Sequence, residues 1–161
     1  MADEQSKKLV LLLSSDGITV PISKKAVIRS FLIKGIIEDD NYKDGDEIKL
    51  EKVRGSTLKK IKEYLEHYEN NHPFEIEQPL PSKKFEECVT EWDYNYTNID
   101  VQEIFQLIRS SHYLDIRPLL CLCYAKLALI TKEKNNSIVN NFTEEEQEMI
   151  LNAQQRYLEA H

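Results

Sequence analysis

The chain has 161 residues, of which 41% are hydrophobic and 30% are charged, and its formal net charge is −7. These values are typical of one soluble globular domain with appended segments. The acidic balance argues against nucleic acid as a partner, because nucleic-acid binding uses Lys and Arg to displace counterions from phosphates. The most apolar stretch, 119–130, contains Lys126 and is shorter than the roughly 20 residues that cross a membrane, so we expect no membrane partner.

The cysteines and the N-terminal residues indicate the compartment. The chain contains three cysteines, Cys88, Cys121 and Cys123. An odd number of cysteines, together with a polar segment over residues 1–8 that has no apolar core of a signal peptide, is typical of a reducing compartment. We therefore expect a cytoplasmic and nuclear protein.

Three strands are predicted in the first third of the chain. Residues 8–13 and 18–22 are apolar runs joined by Asp16-Gly17, which is a strong hairpin signal because both turn positions accept a positive φ. Residues 47–51 alternate polar and apolar side chains, as a half-buried strand does. We expect these strands to form one sheet whose apolar face is covered by helices.

Helix signals surround and follow these strands. Ser23 is predicted to cap a helix that ends near Gly35, and Ser56 is predicted to start a second one. The second helix has an apolar stripe at spacings of three and four, formed by Leu58, Ile61, Leu65 and Tyr68. Residues 71–91 contain three prolines and no periodic pattern, so they are predicted to form a mobile insert.

The last third of the chain is predicted to be helical. Asp100 and Glu103 match a capping box, and so do Thr143 and Glu146. Pro118 fits the first turn of a helix between them. The terminal helix is predicted to place Ile150, Ala153 and Tyr157 on one face.

No pattern in the sequence indicates catalysis. Ser110, Ser111, His112 and Asp115 include the residue types of a hydrolase triad, but neighbouring helical positions point in different directions and do not converge on one atom. The Cys121-x-Cys123 spacing is wrong for a zinc site, and each glycine is isolated, so no phosphate-binding loop is present. We expect neither enzymatic activity nor a metal or cofactor.

The segment 119–130 is apolar on nearly every side of its predicted helix. A helix of this kind must be covered all round. Two interpretations are open at this point: it is the central core helix, or one of its sides continues into a partner-binding surface, as large apolar patches on small proteins do.

Several motifs occur together in the order of a known family. They are Ser-Ser-Asp-Gly at 14–17, Leu-Glu-His-Tyr at 65–68, Glu-Trp-Asp at 91–93, Ile-Phe-Gln-Leu-Ile at 104–108, His-Tyr-Leu-Asp-Ile at 112–116, Leu-Leu at 119–120 and Asn-Phe-Thr-Glu-Glu-Glu at 141–146. In this combination the chain resembles the S-phase-kinase-associated adaptor family, which links F-box proteins to cullin in SCF-type ubiquitin ligases.

The resemblance implies an α+β protein. The expected architecture is a BTB/POZ fold, a three-stranded sheet packed with helices, over residues 1–116 with the insert 71–91. A C-terminal helical F-box-binding extension is expected over residues 117–161. The function it implies is that of a non-catalytic adaptor whose partners are an F-box protein and the N-terminal domain of a cullin.

The resemblance also implies the contact residues. Cullin is expected to bind at His112, Tyr113 and Leu114, where His112 stands in place of the usual Asn. The residues expected to bind the F-box are Phe105, Leu119, Leu120, Cys123, Leu127, Ile150 and Tyr157.

Two departures from the family pattern indicate a divergent member with altered partners. The segment 130–142 is several residues shorter than usual, and the terminal aromatic residue is Tyr157 rather than Trp. Two alternatives therefore stay open. One is an elongin-C-like adaptor for a different helical box, and the other is a BTB structural protein that self-associates as a homodimer without a ligase role.

Overall fold

The computed structural model describes residues 8–132 and 141–158. The chain divides into two compact units, residues 1–73 with 109–117 and residues 74–108 with 118–161. This division differs from the predicted boundary after residue 116, because residues 74–108 belong to the second unit. Compact units need not fold alone, so the predicted domain boundary stays a prediction.

The first unit contains a three-stranded sheet in the order β2-β1-β3. Strand β1 (Leu9–Leu13) pairs antiparallel with β2 (Thr19–Ser23) and parallel with β3 (Glu47–Lys49). The predicted hairpin is confirmed, with Gly17 at φ 82° in its turn. The register places alternate strand residues in the core, and the buried ones are Val10, Leu12, Val20, Ile22 and Ile48.

The hairpin turn is tied to the start of a helix. The Asp16 carboxylate accepts hydrogen bonds from Ser14 Oγ at 2.6 Å and from the Gly55 backbone N–H at 2.8 Å. These two bonds hold the pKa of the Asp16 carboxyl below its ordinary value. A Cβ atom on Gly55 would lie 2.5 Å from Ile18 Cδ1, so the close approach of turn and helix favours glycine at this position.

The N-terminal part of the first unit contains three helices: α1 (Lys24–Val27), α2 (Phe31–Ile37) and α3 (Gly55–His67). The prediction of one helix from Ser23 to Gly35 is wrong, because Ser30 interrupts it and caps α2. Its Oγ accepts a hydrogen bond from the Ile33 N–H at 3.2 Å and donates one to the Leu114 carbonyl at 2.5 Å. Gly35 lies inside α2 and is exposed.

The second unit is mainly helical. It contains a 3₁₀ turn (Phe85–Glu87), α4 (Glu91–Tyr96), most of α6 (Arg117–Lys132), α7 (Glu144–Tyr157) and the first part of α5 (Val101–Leu114). The capping box of α7 is confirmed, with the Glu146 N–H donating to Thr143 Oγ1 at 3.1 Å and the Thr143 N–H to Glu146 Oε1 at 3.0 Å. Pro118 lies in the first turn of α6, as predicted.

The insert 71–91 is packed in its C-terminal part. Phe85, Cys88 and Val89 are buried, and the backbone N–H of Leu80 donates to the Tyr157 carbonyl at 2.8 Å. Residues Phe85–Glu87 form a 3₁₀ turn and Glu91 begins a helix, which the sequence pattern did not predict. The mobility of the insert 71–91 stays a prediction. No helix in the described ranges is both long enough and apolar enough to cross a membrane.

Candidate partner-binding surfaces

The residue types of a hydrolase are not assembled at the end of α5. Ser110 and Ser111 are buried, whereas His112 is exposed. Within residues 8–132 and 141–158, no three His, Cys, Asp or Glu side chains come together in a way that could hold a metal ion. The described cysteines are free thiols, and Cys88 and Cys123 are buried.

The three residues predicted to contact cullin end helix α5 and face different ways. His112 is exposed, Tyr113 is half-buried, and Leu114 is fully buried. Consecutive helical residues are about 100° apart around the axis, so a surface helix cannot expose all three equally. The Leu114 side chain therefore belongs to the core and not to an exposed surface. Lys52 Nζ lies 5.4 Å from the centroid of the Tyr113 ring, within cation–π range.

The turn after α5 is held against the start of α2. Asp115 has a left-handed backbone, with φ 57°, and its carbonyl accepts a hydrogen bond from the Phe31 N–H at 3.2 Å. The Leu114 carbonyl accepts the bond from Ser30 Oγ described above. Residues far apart in the sequence therefore meet at one end of the first unit.

Two exposed apolar side chains lie beside this turn. Phe31 is 58% exposed and Ile28 is 41% exposed. We call the surface formed by Ile28, Phe31, His112 and Tyr113 the α2–α5 patch. In the single helix predicted from Ser23 to Gly35, Phe31 would lie one turn after the buried Val27, on the same face. The interruption at Ser30 turns it to the outside, and no sequence signal revealed this.

The residues predicted to contact an F-box lie mostly in the core of the second unit. Leu120 is half-buried. The others are between 0% and 3% exposed: Phe105, Leu119, Cys123, Leu127, Ile150 and Tyr157. At these positions the structure favours the first interpretation of segment 119–130, a core helix. Their contact with an F-box stays a prediction, and it would require this core to open.

Contacts within the second unit explain this burial. Gln154 Nε2 of α7 donates to Thr131 Oγ1 of α6 at 3.0 Å, and the rings of Phe105 and Phe142 lie 5.4 Å apart. Lys126 Nζ lies 5.3 Å from the centroid of the Phe85 ring. Helix α7 and the end of the insert thus contact α6, so α6 is the core helix of its unit.

Hydrogen bonds of Tyr157 hold the end of α7 against Gln78 and Leu80. The buried Tyr157 hydroxyl accepts a hydrogen bond from Gln78 Nε2 at 3.4 Å, and the Tyr157 carbonyl accepts the one from Leu80. Burial raises the pKa of the Tyr157 hydroxyl above its usual range, and the nearby Cys121 thiol raises it further. The hydroxyl therefore stays protonated and can also donate.

An open groove of about 520 Å³ runs between α6 and α7 on the surface of the second unit. Its lining is polar and is formed by Tyr124, Asn152, Gln155 and Arg156. The guanidinium carbon of Arg156 lies 5.6 Å from the centroid of the Tyr124 ring. Burial raises the pKa of the Tyr124 hydroxyl, so this group is neutral in the groove. We call this feature the α6–α7 groove.

Comparison with known proteins identifies the family. Residues 8–70 match the model described as Skp1 family, tetramerisation domain. The chain is 35% identical over 156 residues to the S-phase kinase-associated protein 1 homolog of Tetrahymena thermophila, with 92% of each chain covered. The chain belongs to the Skp1 family. This Skp1-family chain is also 32% identical over 157 residues to the E3 ubiquitin ligase complex SCF subunit sconC of Arthroderma benhamiae, covering 93% of this chain and 94% of that one.

Membership in the Skp1 family confirms the predicted resemblance and the α+β BTB/POZ-type fold with a helical extension. The matched residues 8–70 contain the whole sheet and helices α1 to α3. Of the two departures noted in the sequence, Tyr157 is a buried anchor, whereas most of the shortened segment 130–142 lies outside the described residues. In this Skp1-family chain the departure at Tyr157 therefore concerns the core of the second unit.

Proposed function

We propose that this chain is a non-catalytic adaptor of an SCF-type ubiquitin ligase, linking an F-box protein to a cullin. The observation that carries the proposal is the similarity, over more than nine-tenths of both chains, to a protein named as an SCF subunit. An adaptor of this kind acts by raising the effective concentration of substrate near the ligase, so it needs surfaces and not a catalytic site. The same proposal places the protein in the cytoplasm and nucleus.

The cullin contact is proposed at the α2–α5 patch. Phe31 exposes 58% of its surface, and the half-buried Tyr113 lies two residues before the carbonyl to which the Phe31 N–H is bonded. Clusters of exposed apolar side chains on small proteins mark interaction sites, and aromatic residues contribute much of the energy at such sites. His112 adds a polar rim to this patch, because it is exposed at the end of α5.

The F-box contact is proposed on the second unit. Leu120 of α6 is half-buried, and Leu151 of α7 is 54% exposed, so both offer apolar surface to a partner. The other residues predicted for this contact are buried, so in this proposal they pack beneath the surface and do not form it. Because these residues are 0% to 3% exposed, a partner could reach them directly only if the core opened.

Substitutions at the α2–α5 patch test the cullin contact. Phe31→Ala and Tyr113→Ala should each weaken binding to a recombinant cullin N-terminal domain by about 2 kcal/mol, the loss typical of an aromatic anchor. Isothermal titration calorimetry measures this loss. The matched control is Phe74→Ala, which truncates a phenylalanine that is 48% exposed in the second unit and should leave cullin binding unchanged.

F-box binding separates a lost contact from a lost fold. Both patch variants should bind a recombinant F-box domain as the unmodified chain does. Loss of both activities, together with a lower melting temperature, would show that Tyr113 and Phe31 support the fold and do not form a cullin contact.

A second function is favoured by the name of the matched family model, which describes a tetramerisation domain. In this alternative the α2–α5 patch binds a second copy of the chain, and no ligase is involved. Light scattering of the purified chain distinguishes the two. An oligomer that persists when a saturating F-box domain and cullin domain are added would favour self-association over the adaptor.

A further inference from the structure

The α6–α7 groove carries a feature that the adaptor proposal does not use. We infer that this groove binds a carboxylate group on a segment of the F-box partner, with Arg156 as the residue that recognises it. This inference rests on the proposed function and specifies the chemistry of one of its contacts. Arg156 and Tyr124 supply the charge and the aromatic support, and Asn152 and Gln155 supply amides.

Within the described residues, Arg156 makes no ion pair with a carboxylate. Among residues 8–132 and 141–158, no carboxylate oxygen lies within 4.0 Å of its guanidinium. This is notable in a chain with a formal net charge of −7, whose α7 begins with three glutamates. The three glutamates lie in the first turn of α7, whereas Arg156 lies in its last turn.

Arg156 is exposed, so the N–H groups of its guanidinium are accessible to a ligand. A carboxylate matches the planar fork of a guanidinium with two parallel N–H···O bonds, which a single amide or hydroxyl acceptor does not. The Tyr124 ring lies within cation–π range of the guanidinium and adds an aromatic contact beside the charge.

The remaining lining residues suit the same ligand. Asn152 precedes Arg156 by four residues, so the two share one face of α7. The side-chain amides of Asn152 and Gln155 carry N–H donors, and the neutral Tyr124 hydroxyl carries one more. Each of these four described side chains can therefore donate a hydrogen bond to a carboxylate, and none of the four is negatively charged.

Apolar residues beside the groove connect it to the proposed F-box surface. Leu120 lies four residues before Tyr124 on α6, and Leu151 lies four residues before Gln155 on α7, so each is one helical turn from a lining residue. A matching partner segment presents an Asp or Glu next to an apolar side chain. The same partner would then contact the groove and the half-buried Leu120 together.

The test uses the full chain and a panel of recombinant F-box domains, from which the tightest binder is taken forward. Arg156→Gln keeps a hydrogen-bond donor on a shorter side chain but removes the charge and the fork, and should raise the Kd about tenfold or more. Arg156→Lys should also weaken binding, because an ammonium cannot form the planar pair. The matched control is Lys132→Gln, which removes an exposed cation from α6 and should leave the Kd unchanged.

Two further measurements complete the test. Raising the salt concentration should weaken binding of the unmodified chain more than binding of the Arg156→Gln variant, because the charge pair is screened. Replacing the partner's acidic residues one at a time by their amides should identify one residue whose effect disappears in the Arg156→Gln background.

The outcomes separate the two proposals. If the F-box domain binds the unmodified chain and the Arg156→Gln variant equally, or if Lys132→Gln has the same effect, the groove inference is overturned and the adaptor proposal stands. If no acidic residue of the partner couples to Arg156, the groove inference is also overturned. If no F-box domain of the panel binds the unmodified chain, the adaptor proposal itself is overturned.

Discussion

The close approach of the β1–β2 turn to helix α3 predicts that a side chain at Gly55 lowers the stability of the fold. Gly55→Ala adds one methyl group at a position where it would lie 2.5 Å from Ile18 Cδ1, 3.1 Å from Cγ1 and 3.0 Å from Cβ. The first of these distances is shorter than carbon atoms tolerate. The tip of Ile18 can rotate away, but its Cβ is attached to the backbone of the turn and can move only with it.

The expected cost follows from this geometry. Overfilling a packed site by one methyl group costs about 1–3 kcal/mol, because side chains and backbone must shift. The shift would also stretch the 2.8 Å hydrogen bond from the Gly55 N–H to Asp16, since the same turn carries both contacts. We therefore expect Gly55→Ala to lower the free energy of unfolding by about 1–3 kcal/mol.

Urea unfolding followed by far-ultraviolet circular dichroism measures this change. Fluorescence is less suitable because Trp92 is the one tryptophan of the sequence and lies in the second unit. The matched control is Gly35→Ala in the exposed face of α2, where a Cβ has no neighbour within 4 Å. That substitution should raise stability by about 0.5–1 kcal/mol, because alanine favours a helix over glycine.

A double-mutant cycle with Ile18→Ala identifies the clash as the cause. Truncating Ile18 removes Cγ1 and Cδ1, so Gly55→Ala should cost less in that background, with a coupling of about 1 kcal/mol or more. The reasoning would be refuted if Gly55→Ala were as stable as the unmodified chain. It would also be refuted if the cost of Gly55→Ala were the same with Ile18 and with Ala at position 18.

Two further predictions concern helix ends. Thr143→Ala removes the capping hydroxyl of α7 and should lower the free energy of unfolding by about 1 kcal/mol, whereas Thr143→Ser should cost little; equal stabilities in urea would contradict the capping role. The pKa of Asp16 is lowered in the folded chain, so the stabilisation by its carboxylate is present above about pH 4 and is lost as the pH falls through the lowered pKa. The melting temperature of Asp16→Asn should therefore fall less steeply in acid than that of the unmodified chain, and parallel pH profiles would show that Asp16 is not the group responsible.

Local features of this chain were predictable because their chemistry is local. The Asp16-Gly17 turn needs only two residues that accept unusual backbone angles, and Thr143 finds its partner Glu146 three residues away. The helix α4 was missed, although a signal existed. Thr90 accepts a hydrogen bond from the Asp93 N–H at 3.1 Å, and a threonine followed three residues later by an acid resembles a capping box.

The features that the sequence did not predict depend on distant contacts. Ser30 interrupts a helix because its hydroxyl reaches the Leu114 carbonyl, and no pattern around Ser30 contains that information. Likewise, the sequence left open whether the apolar surface of α6 is covered by the chain or by a partner. Whether Leu127 faces a partner or the core depends on where α7 and the end of the insert pack. Hydrophobic periodicity identifies a buried face but does not identify its neighbour.

The hydrogen bonds between the start of α2 and the end of α5 have a consequence for association. Ser30 and Leu114 are 84 residues apart in the sequence, yet their bond and the one from the Phe31 N–H join the two segments that form the α2–α5 patch. The conformational entropy of the main chain in this surface is therefore lost when the chain folds, and not when a partner binds. Rigid, preorganised surfaces lose less freedom on complex formation than loops that order on contact. We therefore expect the patch to keep one conformation while a partner binds and dissociates repeatedly.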